Sequence, residues 1–313
     1  MEKNSVIWVT GHNGLVGSSL VRTLKERGYT NIVTSTRQAY DLRSPVDVDM
    51  FFQMQQLQTQ PIEYVFNAAA KVGGIHANNT YPAEFINDNL QIQTNIINAC
   101  HDWKVKKLCF LGSVCIYPKF AEVPVKEESL LTGELEPTNQ WYAIAKIAGI
   151  KMCQAFHKQY GSNFVSVMPC NLYGVNDNFH PENSHVIPAL IRRFVEAKEQ
   201  NLESVTCWGT GAARREFMYV DDMTDACIFV MEHYDDSEII NIGYGNDVTI
   251  RELTEMIANI VEYKGCIVWD TSKPNGTPKR MLDSTKLFNL GWEPKIDLIE
   301  GLNRSIDWFK SHR

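Results

Sequence analysis

The chain has 313 residues, enough for two structural units or one large one. Its formal net charge is −7, which argues against a general role on nucleic acid or anionic lipid. With 44% hydrophobic and 21% charged residues, the composition is globular and excludes wholesale disorder. No apolar run approaches the roughly 18 residues of a membrane span, and the run before Gly11 is too short for a secretory signal core. Cys100, Cys109, Cys115, Cys153, Cys170, Cys207, Cys227 and Cys266 are scattered, with no Cys-x-x-Cys pair. Neither a metal site nor a disulfide framework is expected, and the usage fits a reducing, cytoplasmic setting.

Residues 6–10 are a short apolar run ending at glycine and read as a buried strand. Leu15, Val16, Leu20 and Leu24 then recur at helical spacing, and Gly28 is placed to end that helix. A strand is expected at 31–35, a helix at 46–57 and a strand at 63–67. Pro82 opens a long helix over 82–101, followed by a strand at 107–111. A polar, proline-containing stretch (117–140) leads into a helix over 141–160, and Pro169 stops a strand at 164–168. Repeated β-α-β predicts an α/β fold with a doubly wound parallel sheet, a Rossmann arrangement. Beyond residue 170 the rhythm breaks. The expected organisation is a dinucleotide-binding domain over 1–170, with elements returned from about 212–245, and a smaller, mainly substrate-binding lobe over 171–313.

Gly11-His12-Asn13-Gly14-Leu15-Val16-Gly17 falls between a predicted strand and a predicted helix. A phosphate-binding turn needs glycine for positive φ, for close approach of the pyrophosphate and for helix–strand contact. The helix N-terminus then offers free N–H groups to the phosphates. The spacing is G-x-x-G-x-x-G. A purely structural turn is the plainer alternative, and the strand–turn–helix context weighs against it. Past the second predicted strand there is no acid at the strand end, and Arg37 stands where a 2′-phosphate would lie. This favours NADP(H) over NAD; the alternative is a solvated surface arginine.

Tyr142 and Lys146 are four apart, on one face of a predicted helix. A phenol of pKa ~10 is a poor acid or base at neutral pH, and a nearby ammonium is expected to favour its phenolate. The fourth strand runs into Leu111-Gly112-Ser113-Val114-Cys115, at the carboxyl edge where ligands of open α/β sheets bind. If extended backbone continues, Ser113 and Cys115 face the same side. On residue type alone, Cys115 is a buried strand thiol and His185 a loop histidine.

The glycine turn, Ser113 and Tyr142-x-x-x-Lys146 together resemble the extended short-chain dehydrogenase/reductases. Residues 68–75 (Ala-Ala-Ala-Lys-Val-Gly-Gly-Ile), 111–118, 136–139 (Glu-Pro-Thr-Asn), 142–151, 177–180 and 184–188 resemble the GDP-L-fucose synthase branch of that family more closely, as do Arg215-Glu216-Phe217 and Val220-Asp221-Asp222. That branch performs 3,5-epimerisation and NADPH-dependent 4-keto reduction of GDP-4-keto-6-deoxy-D-mannose, giving GDP-L-fucose. The resemblance implies homodimers formed through helices near 82–101 and 141–160.

It also implies roles. Cys115 is the base and His185 the acid of epimerisation. Ser113 and Tyr142 hold the C4 oxygen, Tyr142 protonates it, and Lys146 holds the nicotinamide ribose. The implied cofactor residues are Gly11, His12, Asn13, Gly14, Leu15, Val16, Gly17, Arg37, Asp41, Leu42, Ala69, Leu111, Gly112, Ser113, Tyr142, Lys146, Pro169, Cys170, Asn171, Leu172 and His185. The implied substrate residues are Ser113, Cys115, Tyr142, Asn171, Arg193, Trp208, Arg215 and Asn275. By type alone, Arg193 is a solvated helix residue and Trp208 a core aromatic. Three positions depart from the branch. Asn13 stands where it often has Arg, Val114 where it often has Ser, and Asn275 where Asp is common. The alternatives are another nucleotide-sugar epimerase/reductase of the superfamily, or a non-catalytic NADP(H)-binding sensor. Cys115 with His185 weighs against a 4-epimerase, and retention of Tyr142 and Lys146 against a sensor.

Overall fold

The apolar runs read as strands are buried on both faces, which makes them inner strands of a sheet. Ile7, Trp8, Val9, Val65, Phe66, Leu108, Cys109 and Phe110 are all fully buried. A computed structural model describes residues 1–58, 60–181, 183–273 and 275–313. Its first part alternates β1 (Ile7–Thr10), α1 (Leu15–Glu26), β2 (Ile32–Val33), α2 (Pro45–Gln58), β3 (Tyr64–Asn67), α3 (Ile75–Thr80), α4 (Pro82–Asp102), β4 (Lys107–Leu111), α5 (Gln140–Tyr160) and β5 (Phe164–Pro169). There follow β6 (Asn171–Tyr173), α6 (Val186–Glu199), β7 (Ser204–Trp208), β8 (Arg214–Tyr219), α7 (Val220–His233), β9 (Ile240–Ile242), β10 (Asp247–Thr249), α8 (Ile250–Val261), β11 (Cys266–Asp270), β12 (Lys279–Arg280), α9 (Thr285–Asn289) and α10 (Leu298–Ser311).

Six strands form one parallel sheet in the order β2-β1-β3-β4-β5-β9. The order reverses between β1 and β3, the switch point at which open α/β sheets bind ligands. One helical layer pairs α1 with α7; the other pairs α4 with α5 and α2. The predicted α/β, doubly wound parallel sheet is therefore present. A second, smaller core gathers Ile191 and Phe194 of α6, Leu253 and Ile257 of α8, and Leu302 and Ile306 of α10 around Phe217 and Tyr219 of β8. β8 lies between β10 and β12 and also pairs with β6, while β7 and β11 form a separate parallel pair.

Three expectations need correction. β2 has two residues rather than the five of 31–35, because the polar run Thr34-Ser35-Thr36 leaves the sheet early. α3 was not foreseen: its short polar sequence carries no apolar period. After β4 the chain does not stay extended, since Val114–Ile116 forms a 3-10 turn capped by Ser113. Among the described residues, no helix is long and apolar enough to cross a membrane.

α5 lies unusually close to the sheet at Gly149. A Cβ there would come within 2.4 Å of Phe110 Cζ on β4 and 2.9 Å of Gln93 on α4. Gln93 Nε2 donates to Ala145 O at 2.5 Å, which fastens the two helices. Gly149→Val is expected to lower stability by about 1–3 kcal/mol through overpacking, read as a lower urea midpoint. An unchanged midpoint would mean that α5 can withdraw from β4 at no cost.

Candidate active site

Thr10 ends β1 and ties the switch point together. Its Oγ1 donates to Asn67 Oδ1 at 3.0 Å and accepts from Ala69 N at 2.9 Å. Gly11 follows with φ +65°, and a Cβ on it would meet Ala68 O and Ala69 Cα at 2.9 Å. At Gly17 a Cβ would come within 2.1 Å of Gly11 O, so the helix could not pack on the turn. Gly14 is different: a Cβ there meets only Gly11 O, at an ordinary 3.5 Å, and the residue is exposed. Gly11 and Gly17 therefore answer to the protein, and Gly14 leaves bare backbone open to solvent. Gly14 is the N-cap of α1, whose first turn has neither a side-chain cap nor an acidic residue. Uncapped N–H groups and the positive end of the helix fit an anionic pyrophosphate. His12, Asn13, Leu15 and Val16 complete this turn.

Arg37 is exposed in the turn after β2. The Arg43 side chain, hydrogen-bonded to Asp41, holds that carboxyl down to about 2, and Arg37 adds to the effect. The Asp41 charge is thus paired rather than set against a neighbouring phosphate. Leu42 is fixed through its carbonyl, which accepts from Asn95 Nδ2 at 3.0 Å. Pro169, Cys170, Asn171 and Leu172 run from the end of β5 into β6, on the carboxyl edge of the sheet.

Beyond Leu111 and Gly112, the end of β4 and the start of α5 make one cluster. Ser113 Oγ accepts from Cys115 N at 3.2 Å, so the 3-10 turn sets sulfur and hydroxyl side by side. Burial pushes the Cys115 thiol up, while Ser113 and the Arg280 charge pull it down. Burial also pushes the Tyr142 phenol above its ordinary value, as does the neighbouring Cys115; Ser113 opposes both. Lys146 is buried and donates to Leu111 O at 2.7 Å, with its ammonium 5.8 Å from the Tyr142 ring centre. Burial lowers its own pKa to about 8. The expected Lys146-driven stabilisation of the phenolate is therefore not found. Lys146 keeps its charge while one of its N–H groups meets the Leu111 carbonyl, and burial favours a protonated Tyr142, a proton donor.

His185 is the N-cap residue of α6 and is exposed, and its ring has no hydrogen-bond partner among the described residues. The protein mass around it still desolvates the ring and lowers its pKa, and the adjacent helix N-terminus acts in the same sense. Its loop reaches the sheet through Gly74, whose N–H donates to Asn183 O at 3.2 Å. A Cβ on Gly74 would sit 2.8 Å from Ser184 O.

The second lobe supplies the other predicted residues. Arg193 donates to Thr206 O at 2.9 Å, and Trp208 is 66% exposed with Lys273 over its ring. The core-aromatic alternative for Trp208 thus fails. Arg215 is partly buried and pairs in register with Arg280, so two guanidinium groups lie on adjacent strands, with no carboxylate bonded to either among the described residues. Asn171 Nδ2 donates to Glu216 O at 2.9 Å. Asn275 Oδ1 accepts from Thr210 N at 2.7 Å and from Thr210 Oγ1 at 3.1 Å, so this side chain holds the turn after β7. Ser113, Cys115, Tyr142 and Lys146 lie in contact with one another; among the described residues, no hydrogen bond joins His185, Arg193 or Trp208 to them.

Sequence reasoning missed two members. Asn139 Nδ2 donates to Cys115 Sγ at 3.3 Å. Its signal lay in the Glu-Pro-Thr-Asn block, read there only as a resemblance. Arg280 comes from a strand pairing more than sixty residues away, and no local pattern announces it.

A dinucleotide cradle at a switch point, with a phenol, an amine and a thiol at the next strand end, defines a nucleotide-dependent oxidoreductase or epimerase. Residues 7–243 match the NAD dependent epimerase/dehydratase family, and the chain belongs to that family. It is 57% identical to "GDP-L-fucose synthase 1" of Arabidopsis thaliana, covering 98% of this chain and 94% of that protein. It is 52% identical to "GDP-L-fucose synthase" of Escherichia coli K12, covering 97% and 96%. The structure of a GDP-L-fucose synthetase from Naegleria fowleri bound to NADP superposes with a TM-score of 0.90 at 26% identity, covering 99% and 95%.

The glycines separate by experiment. Gly17→Ala is expected to cost about 1–3 kcal/mol of stability, because its Cβ meets backbone that cannot yield. Gly14→Ala is expected to melt like the natural protein yet bind dinucleotide more weakly. Equal stability for both variants would contradict the division of roles.

Proposed function

We propose that this chain converts GDP-4-keto-6-deoxy-D-mannose to GDP-L-fucose, inverting C3 and C5 and then reducing C4 with NADPH. The observation that carries this is the single cluster at the end of β4, where Ser113, Cys115 and Tyr142 face one another. Relatives at over 50% identity that carry the synthase name support it.

The C4 ketone acidifies the protons on C3 and C5. Cys115 Sγ takes each proton, the C–H electron pair passing into the enolate, and between the two inversions exchange with solvent removes the proton from Sγ and restores one to His185. His185 returns a proton from the opposite face; its lowered pKa makes the imidazolium a stronger acid. Ser113 and Tyr142 donate to the enolate oxygen as charge develops there. The reduced nicotinamide supplies a hydride to C4 when bound. Tyr142, held protonated by burial, gives its proton to the C4 oxygen. The turn of Gly11, Gly14 and Gly17 would hold the pyrophosphate, Arg37 the 2′-phosphate and Lys146 the ribose. Arg193 and Arg215 suit the GDP diphosphate, and Trp208 an apolar wall beside it.

In this reading residues 1–170, with the elements returned from 212–245, bind the dinucleotide, and residues 171–313 hold the sugar nucleotide. A cytoplasmic homodimer joined through α4 and α5 is part of the same proposal. Exposed Trp141 and Ile144 on α5 support that interface.

The test is loss of NADPH absorbance with GDP-4-keto-6-deoxy-D-mannose, with the product identified by NMR. GDP-L-fucose is the expected product. Cys115→Ser is expected to reduce its formation at least about 100-fold, the scale of losing a positioned base. A 6-deoxy sugar with C3 and C5 uninverted would remove the epimerase assignment. No turnover with NADPH or NADH would remove both.

Lys146 sets the alkaline limb. It is charged below about 8 and neutral above it. The reduction step is therefore expected to fall as pH rises through about 8, and Lys146→Arg to move that fall to higher pH. A flat profile to pH 10 would contradict a role for the ammonium.

A further inference from the structure

Asn139 occupies the N-cap of α5, where an asparagine side chain ordinarily accepts from N–H groups of the first turn. It makes no such bond. Its Nδ2 donates instead to Cys115 Sγ at 3.3 Å, and its Oδ1 is buried without a partner among the described residues. The backbone is fixed on both sides: Asn139 N donates to Glu136 O at 3.1 Å, and Asn139 O accepts from Ala143 N at 3.0 Å. The amide is thus aimed at the sulfur by a rigid chain and does nothing for the helix.

An N–H donor at a sulfur favours the thiolate over the thiol. The other uncharged donor near the sulfur is Ser113, whose hydroxyl has one proton and lies within reach of both Cys115 and Tyr142. A substrate whose C4 oxygen takes that proton leaves the sulfur without it. The titratable and charged groups facing the sulfur are Tyr142 of α5 and Arg280 of β12, and Arg280 is itself faced by Glu136.

We propose that Asn139 is a positioning residue for epimerisation: its amide holds the Cys115 sulfur in the anionic form once Ser113 has turned to the substrate oxygen. This rests on the reading of Cys115 as the base. In each inversion Sγ gains the carbon-bound proton, and the electron pair of the broken C–H bond enters the enolate. Rotation of the amide then offers Oδ1, which has no partner to lose, to the new S–H.

The test uses the full chain with Asn139→Asp and Asn139→Ala; neither removes a helix cap. Iodoacetamide alkylation of Cys115, followed across pH by peptide mass, reads the thiolate directly. The alkylation midpoint is expected to rise by about one pH unit in Asn139→Ala and further in Asn139→Asp, where a carboxylate faces the sulfur. Deuterium wash-in from D2O into GDP-4-keto-6-deoxy-D-mannose without NADPH is expected to slow at least about tenfold. Oxidation of GDP-L-fucose by NADP+, which does not call on the thiolate, is expected to stay within about threefold. An unmoved midpoint with unchanged wash-in overturns the proposal. So does equal loss of wash-in and oxidation with an unmoved midpoint, the mark of a purely structural residue. Absence of wash-in in the natural protein overturns the role of Cys115 itself. Wash-in in the natural protein that persists at full rate in Asn139→Asp overturns the Asn139 role alone.

Discussion

Lys146 donates to the last carbonyl of β4, and that one buried bond fixes how α5 meets the sheet. An ammonium in the interior needs a partner, and Leu111 O supplies it at the point where the strand must end. Tyr142 stands one helical turn before Lys146, so the same bond fixes the phenol beside Ser113 and Cys115. Gly149, about one turn beyond Lys146 on α5, lacks the side chain that would hold the helix off Phe110. Lys107, at the other end of β4, caps the carbonyls of Val230, Met231 and Tyr234 at the end of α7. One strand is thus pinned from both helical layers, and the reactive groups gather at its carboxyl end.

Two chemistries place opposing demands on that cluster. Reduction wants Tyr142 protonated, and burial provides it. Epimerisation wants Cys115 deprotonated, and burial works against it. Ser113 cannot satisfy both, since its one proton serves either the phenol or the sulfur. Two further groups bear on the sulfur: Asn139 donates to it, and the charge of Arg280, which itself donates to Pro118 O, lies near it. The part of the chain beyond the parallel sheet also reaches this cluster, because Arg280 of β12 brings its charge to Cys115.

What was legible in the chain follows from the range of the forces involved. Alternating buried runs and helical periods gave the parallel sheet as far as β5, because both signals are local. β9 has three residues and joins only by pairing with Pro169 and its neighbours, which no local window shows. Gly11 and Gly17 were readable because their need for bare backbone is steric and sits within seven residues. Ser113 and Cys115 were placed together on an assumption of extended backbone, and the outcome survived although the cause differs: a 3-10 turn brings them into contact. Asn139 was hidden because an asparagine before a helix reads as a cap. The direction of the Tyr142 shift is not legible because spacing shows that a lysine is near, but not that the phenol is buried beside Cys115.

The decisive measurement is the isotope pattern of GDP-L-fucose formed in D2O from GDP-4-keto-6-deoxy-D-mannose and ordinary NADPH. Two chemistries sharing one site require solvent deuterium at C3 and C5 and protium at C4, with the C3 and C5 label lost as Cys115 is replaced by Ser. A product formed without deuterium at C3 and C5, or the same label in the Cys115→Ser variant, would contradict a thiolate base beside the reducing tyrosine.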